Sequence, residues 1–189
     1  MKTLNFVLAL AILLSGNVMF AQKAEINTKK SSVEWFGKKI ASQHKGNIQL
    51  KSGYFELQNG QIVAGNFIVD MTTITNTDIE NKDNSQRLVG HLKSEDFFGI
   101  EKYPTANFEV TQSSEFSNGK ATITGDITIK GKTESISFEV LQEGTEYTAK
   151  IDIDRSKFDV RYGSNSFFDE LGDKAIDDIF TLSIKLAVN

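Results

Sequence analysis

The sequence has 189 residues, a formal net charge of −4 and no cysteine. A chain of this length is predicted to fold as one domain with a sizeable core, and the lack of cysteine excludes a disulfide framework and the anchor of a cysteine-modified lipoprotein. The acidic balance argues against nucleic acid and against an anionic membrane as the main partner, because both attract basic surfaces.

Residues 1–21 have the pattern of a secretory signal peptide. Lys2 supplies the positive start, residues 6–14 form the apolar centre, and Ala21 is a small residue at a plausible cleavage point. The apolar run is too short to span a membrane, so we expect no stable membrane insertion. The sequence therefore predicts an exported protein, periplasmic or secreted, whose folded domain comprises residues 22–189.

From residue 31 onward, apolar and polar residues alternate with the period of antiparallel strands that bury one face. The first three predicted strands cover residues 33–37, 48–57 and 63–71. Asn59 and Gly60 separate the second strand from the third, and this pair favours the positive φ angles of a tight type I′ hairpin. The second and third strands are therefore predicted to be neighbours.

The connection after the third strand is polar and is predicted to contain short helices. Asn84 or Ser85 is placed to cap a helix over residues 86–93, and Ser94 with the two acidic residues after it indicates a second helical start. Pro104 ends this connection.

Five further strands follow, with hairpin turns predicted at residues 118–119 and 130–131. They cover residues 106–110, 121–129, 136–140, 147–153 and 180–188. A glycine-containing loop over residues 159–178 precedes the last strand and includes a short helix near residues 173–177. The pattern predicts an all-β fold, an eight-stranded antiparallel barrel with short helices in the strand 3–4 and strand 7–8 connections; a two-sheet sandwich is the alternative.

Seven short motifs, taken in order, cover nearly the whole predicted domain. They are residues 32–39 (SVEWFGKK), 44–46, 65–71 (GNFIVDM), 88–98 (LVGHLKSEDFF), 124–133, 153–158 and 172–178. In these motifs the sequence resembles the YceI-like family, the lipocalin-like polyisoprenoid-binding proteins of bacterial envelopes. The resemblance implies an exported, elongated, lipocalin-like barrel that binds a polyprenyl chain along its axis, such as that of an isoprenoid quinone or a polyprenyl phosphate.

Nine apolar residues are expected to line such a ligand. They are Trp35, Phe55, Phe67, Met71, Phe108, Phe138 and Ile151, which share the inward phase of the strands, together with Phe97 and Phe98, which are placed to plug one end of the barrel or to contact the tail. Plain core packing is the alternative for all of them, because core and lining occupy the same positions in a closed eight-stranded barrel.

Four polar residues are candidates to contact the head group, a quinone carbonyl or a phosphate, because a bound head group needs a few fixed polar partners. They are His91, Lys93, Arg155 and His44. The alternative is a structural role, since Asp70, Asp96 and Asp178 are available to pair with cationic groups. Residues 88–98 as a whole are expected to cap one end of the barrel.

The residues give little support to catalysis. Two histidines without cysteine are a weak metal-ligand set, and the GxSxG motif of a serine nucleophile is missing. We therefore expect no catalytic residue, metal site or cofactor besides the bound lipid.

The favoured function is an exported protein that holds a long-chain isoprenoid lipid for transport, storage or sequestration. The alternatives are an enzyme or accessory factor acting on such a lipid, with His91 in acid/base work, and a ligand-free, stress-related interaction module. Whether the protein forms a homodimer is left open.

Overall fold

The structure is a computed structural model and describes residues 21–39 and 42–189. Apart from Ala21, the predicted signal peptide lies outside the described residues. The described residues form nine strands, one α-helix (α1, Lys82–Lys93) and 3-10 turns at Met71–Thr73, Arg155–Phe158 and Gly172–Lys174. The strands are β1 (Gln22–Glu25), β2 (Ser32–Lys39), β3 (Ser42–Gln58), β4 (Gln61–Asp70), β5 (Thr105–Ser113), β6 (Lys120–Ile129), β7 (Lys132–Glu143), β8 (Glu146–Asp154) and β9 (Ile176–Ala187).

Strands β2 to β9 close into an eight-stranded antiparallel barrel. Each of them pairs with the next along the chain, and β9 pairs back onto β2. The short strand β1 pairs with β3, and the bridge between Ile26 and Val188 places its end beside β9, so that β1 continues the line of β2. The predicted barrel is confirmed, and β1 is an addition that the sequence pattern did not predict.

Local turn chemistry sets the register of the hairpins. The φ angles are 54° and 80° at Asn59 and Gly60, and 50° and 73° at Lys130 and Gly131, as type I′ turns require. Residues 118–119 also have positive φ angles, of 52° and 75°, and Ser117 bridges to Lys120 around them. The three predicted hairpins are confirmed.

The antiparallel topology gathers the connections at two ends of the barrel. The β2–β3, β4–β5, β6–β7 and β8–β9 connections share one end, which we call the helix end because α1 lies in the β4–β5 connection. The β3–β4, β5–β6 and β7–β8 connections share the opposite end, which we call the far end.

Helix α1 begins earlier than the sequence predicts. Its N-cap is Asn81, whose side chain accepts a hydrogen bond from Asn84 N, so the prediction of Asn84 or Ser85 as the cap is wrong. The second helical start at Ser94 is also wrong: residues 95–98 form a turn that ends at Gly99, whose φ of 56° does not continue a helix. Among the described residues, no helix is long and apolar enough to cross a bilayer.

The loop between β8 and β9 contains less helix than predicted. Gly172–Lys174 forms a single 3-10 turn, and β9 already begins at Ile176. The helix expected near residues 173–177 is therefore one short turn, because β9 pairs with β2 from Ile176 and with β8 from Ile179.

Packing differs between the two ends of the barrel. The far end is filled by a tight cluster that includes Phe55, Ile62, Phe67, Tyr147 and Leu186. Several apolar side chains of the helix end instead keep part of their surface accessible although they point inward. These half-buried residues include Trp35, Leu92, Phe98, Phe180 and Leu182. The barrel is thus solid at one end and hollow at the other.

Candidate functional site

A cavity of about 420 Å³ occupies the helix end of the barrel. Its volume falls in the range of small-molecule binding sites. The wall is mostly apolar and is formed by Val33, Trp35, Ile48, Val69, Met71, Ile74, Leu88, Leu92, Phe97, Phe98, Ala106, Ile127, Ile129, Ile176, Phe180 and Leu182. Alternation along each strand produces this wall, because every second residue of a barrel strand points inward.

Polar residues of the cavity come from strands, from loops and from the last turn of α1 at the helix end. They are Lys38, Lys39, Ser42, His44, His91, Asn107, Arg155, Tyr162 and Asp177. Lys38, Lys39 and Ser42 are exposed where β2 and β3 meet, and Tyr162 is 47% exposed in the β8–β9 loop. An apolar chain inside the cavity would therefore have its polar end at a solvent-exposed rim that includes Lys38 and Lys39.

Trp35 is held in the wall by a hydrogen bond. Its Nε1 donates to the main-chain oxygen of Thr75 at 2.9 Å, and both atoms lie beside Gly46 of β3. Because Gly46 has no side chain, the indole and the Thr75 carbonyl can approach this stretch of β3 closely. Trp35 is the only tryptophan of the sequence, so the intrinsic tryptophan fluorescence of the protein is a probe of the cavity.

His44 lies at the rim in an ion-pair geometry with Asp78. Its Nδ1 is 2.9 Å from Asp78 Oδ2, and Lys45 N donates to Asp78 Oδ1 at 2.9 Å. Burial opposes ionisation of Asp78, but hydrogen bonds from Lys45 N and His44 outweigh it and lower the pKa of the carboxyl below its ordinary value. The fixed carboxylate holds the imidazole at the cavity mouth.

His91 projects from the last turn of α1 into a group of aromatic rings. Its ring centroid is 4.3 Å from that of Tyr162 and 5.1 Å from that of Phe97, both edge-on. His91 Nε2 is 4.0 Å from Asp96 Oδ2, which is beyond hydrogen-bond distance. The aromatic contacts therefore orient this imidazole more than the carboxylate does.

Arg155 is 3% exposed and binds main-chain carbonyls. Its guanidinium donates to the oxygens of Val160, Tyr162, Ile176 and Asp177 at 2.9–3.0 Å. Burial lowers the pKa of Arg155, and nearby carboxylates oppose this shift. Arg155 lines the cavity but its N–H groups serve to hold the β8–β9 loop together.

Arg155 also forms an ion pair with Asp178, but this pair lacks a hydrogen bond. Asp178 Oδ1 lies 3.2 Å from Arg155 Nη2 but outside hydrogen-bond geometry, so the oxygen is buried without a hydrogen bond. Asp178 Oδ2 accepts a hydrogen bond of 2.7 Å from Ser166 Oγ. The carboxylate thus links Arg155 to the middle of the loop.

A family model described as the YceI-like domain matches residues 25–188 of this barrel. The chain belongs to the YceI-like family. Among curated relatives, a UPF0312 protein of Vibrio parahaemolyticus is 32% identical over 97 residues, which cover 50% of this chain and 48% of the relative. The chain thus spans about half the length of the curated relatives it matches.

Two solved structures share the fold of this YceI-like chain. BcnA of Burkholderia cenocepacia superposes with a TM-score of 0.69 at 20% identity, and the match covers 87% of this chain and 99% of BcnA. A polyisoprenoid binding domain from Saccharophagus degradans has a TM-score of 0.60 at 10% identity, covering 90% and 98% of the two chains. At these identities the likeness concerns the fold alone.

The nine predicted lining residues fall into two groups in this YceI-like barrel. Trp35, Met71, Phe97 and Phe98 line the cavity. The other five lie in the packed clusters beside and beneath it, namely Phe55, Phe67, Phe108, Phe138 and Ile151. Their inward direction is as the alternation predicts, but the structure places these five in the core. Contact with a ligand stays a prediction for all nine.

The four candidate head-group residues are likewise spread out. His44, His91 and Arg155 line the cavity, whereas Lys93 ends α1 on the side of Asp70, whose pKa it helps to lower after the larger effect of the Thr72 hydroxyl. In the part of the chain that the structure describes, no group of three or more His, Cys, Asp or Glu is placed to hold a metal ion.

Sequence reasoning misses several cavity residues for which a signal exists. Leu88 and Leu92 are four residues apart on α1 and so share the face that covers the cavity. Lys38 and Lys39 belong to one of the family motifs, and their charge beside a predicted strand end is the signal that could have found them. Tyr162 has no such signal, because it lies in an irregular loop whose path depends on Arg155.

Proposed function

We propose that this YceI-like protein binds an isoprenoid lipid, with the hydrocarbon chain inside the cavity and the head group at its mouth. The observation that carries the proposal is the large apolar cavity at the helix end of a closed barrel whose far end is solid. The Saccharophagus degradans protein, a polyisoprenoid binding domain built on the same fold, supports the chemical class.

The energetics of such a site suit a carrier. Each buried CH₂ group contributes about 0.8 kcal/mol, so that one isoprene unit of five carbons contributes about 4 kcal/mol when fully buried. Association costs about 4–15 kcal/mol in lost motion. A few buried units therefore give stable binding with few polar contacts, and no chemical step is needed.

The head group lies among the polar residues of the mouth. His44 and His91 face the cavity there, and Lys38 and Lys39 add positive charge at the rim. These groups suit a quinone carbonyl or a phosphate, because both are hydrogen-bond acceptors. Arg155 contributes indirectly by fixing the loop that carries Tyr162.

The setting that we propose is the cell envelope or the exterior. The signal-like residues 1–21 direct export, and the folded barrel then transports, stores or sequesters its lipid in aqueous surroundings. A quinone, a polyprenyl phosphate or a related isoprenoid would serve as cargo.

Trp35 fluorescence tests the proposal in the purified protein. Addition of geranylgeraniol, an isoprenoid alcohol of four units, is expected to change the emission of this single tryptophan in a saturable way. Ala106→Phe, which fills the cavity from β5, is expected to weaken binding at least tenfold. Thr111→Phe, an exposed position of the same strand, is the matched control and is expected to bind like the original protein. Equal binding by both variants would contradict the proposed site.

A further inference from the structure

The boundary between the hollow and solid halves of the barrel is formed by three phenylalanines. The ring centroids of Phe67 and Phe108 are 6.3 Å apart, and those of Phe108 and Phe138 are 5.4 Å apart. Phe108 and Phe138 pack against the cluster of the far end and also against the cluster beside the cavity. The three rings, which we call the floor, therefore extend across the interior.

We propose that the floor fixes the depth of the cavity and so limits the number of isoprene units that the barrel takes up. The inference rests on the proposed function, because it concerns the length of the chain that binds. Phe108 pairs directly with Phe67 on β4 and with Ile127 on β6. Ile127 lines the cavity, so Phe108 lies at the level where the cavity ends.

Two glycines on neighbouring strands make room for rings of the floor. A Cβ built on Gly125 would overlap the end of the Phe108 ring, with Cε2 at 2.7 Å. A Cβ on Gly53 would lie 2.7 Å from Phe67 Cδ1. Each ring thus occupies space that a side chain of the neighbouring strand would otherwise fill.

Beneath the floor the interior of the barrel is filled by packed side chains. Phe55 packs against Phe67 at 5.0 Å and against Tyr147 at 4.9 Å between centroids, and Ile62 is 0% exposed. A chain that reaches the floor can continue only by displacing these side chains. Units beyond that length stay at the mouth and add little to the affinity.

A series of isoprenoid alcohols with two to eight units, titrated against Trp35 fluorescence, tests the inference. In the original protein we expect Kd to fall by at least about tenfold with each unit that enters the cavity, and then to stop falling at one length. Phe108→Ala removes the centre of the floor and is expected to move this limit to a longer chain. Ile127→Phe adds bulk above the floor and is expected to move it to a shorter chain.

Two further variants keep the result interpretable. Phe108→Leu retains more of the packing, so it can be tested even if Phe108→Ala does not fold. It is expected to move the limit to a longer chain. Phe116→Ala removes a ring at the far end, 6.2 Å from that of Tyr147, and is expected to leave the limit unchanged. If no alcohol binds the original protein, the proposed function fails. If the alcohols bind but the limit is the same in Phe108→Leu and Ile127→Phe, the inference about the floor is overturned.

Discussion

Arg155 shows how one side chain can hold a loop beside a cavity. Its guanidinium binds oxygens of residues 160, 162, 176 and 177, which lie at both ends of the β8–β9 loop. Removing the side chain would leave one buried and three partly buried carbonyls without this partner, and each unsatisfied buried group costs about 1–3 kcal/mol. The residue therefore contributes to the site mainly through the conformation of this loop.

We expect Arg155→Ala to lower the free energy of unfolding by about 3 kcal/mol or more, measured by urea denaturation. Arg161→Ala is the matched control, because the Arg161 side chain is 59% exposed and pairs with Asp159 on the surface. Exposed ion pairs contribute about 0–1 kcal/mol, so this control should change little. Equal losses in the two variants would show that the carbonyl network of Arg155 does not stabilise the fold.

The sequence predicts Arg155 as a site residue but does not predict what it binds. It lies in a motif at the end of a strand, and such a position suits either a head-group donor or a structural cation. The oxygens that occupy its N–H groups belong to residues up to 22 positions away. Their arrangement is a property of the folded loop, which no local pattern contains.

Strand β3 is longer than its neighbour β4, with 17 residues against 10. The part of the β3 edge that β4 does not reach pairs with the chain after β4. Thr75 N donates to Asn47 O at 2.9 Å, and Thr77 N donates to Lys45 O at 3.0 Å. This irregular segment closes the barrel wall beside the cavity mouth, and it needs Gly46 for its close approach.

Gly46→Ala is expected to push this segment away from β3. A Cβ at Gly46 would overlap Thr75 O and lie 2.8 Å from Trp35 Nε1. We expect a loss of about 2 kcal/mol in the free energy of unfolding and a shift of Trp35 emission as its hydrogen bond is disturbed. Gly37→Ala is the control, because a Cβ there meets nothing within 4 Å. Equal stability and emission in Gly46→Ala and Gly37→Ala would show that the segment after β4 does not depend on the missing side chain of Gly46.

The sequence predicts correctly those elements that depend on adjacent residues alone. The turns at residues 59–60, 118–119 and 130–131 follow from residue pairs that accept positive φ. The helix start was missed because Asn81, Asn84 and Ser85 are all capable caps and the choice depends on tertiary contacts; Asn76, for example, binds Ser85 Oγ at 3.2 Å.

For the whole molecule, the alternation of residues predicts the barrel but not which half of it is hollow. Phe108 and Trp35 share the inward phase, yet one packs over Gly125 in the core and the other lines the cavity. Both rings lie beside a glycine of a neighbouring strand, but Phe108 also packs against Phe67 and Phe138, whereas Trp35 hydrogen-bonds to Thr75 O. These contacts depend on three-dimensional packing and leave no periodic pattern in the sequence.

Native mass spectrometry of the protein purified without detergent from its own host tests whether the hollow half of the barrel holds an isoprenoid lipid. We predict one adduct per chain with the mass of an isoprenoid lipid, lost in Ala106→Phe and retained in Thr111→Phe. A protein that carries no lipid, and takes up none when incubated with isoprenoid alcohols, would contradict lipid binding in the hollow half.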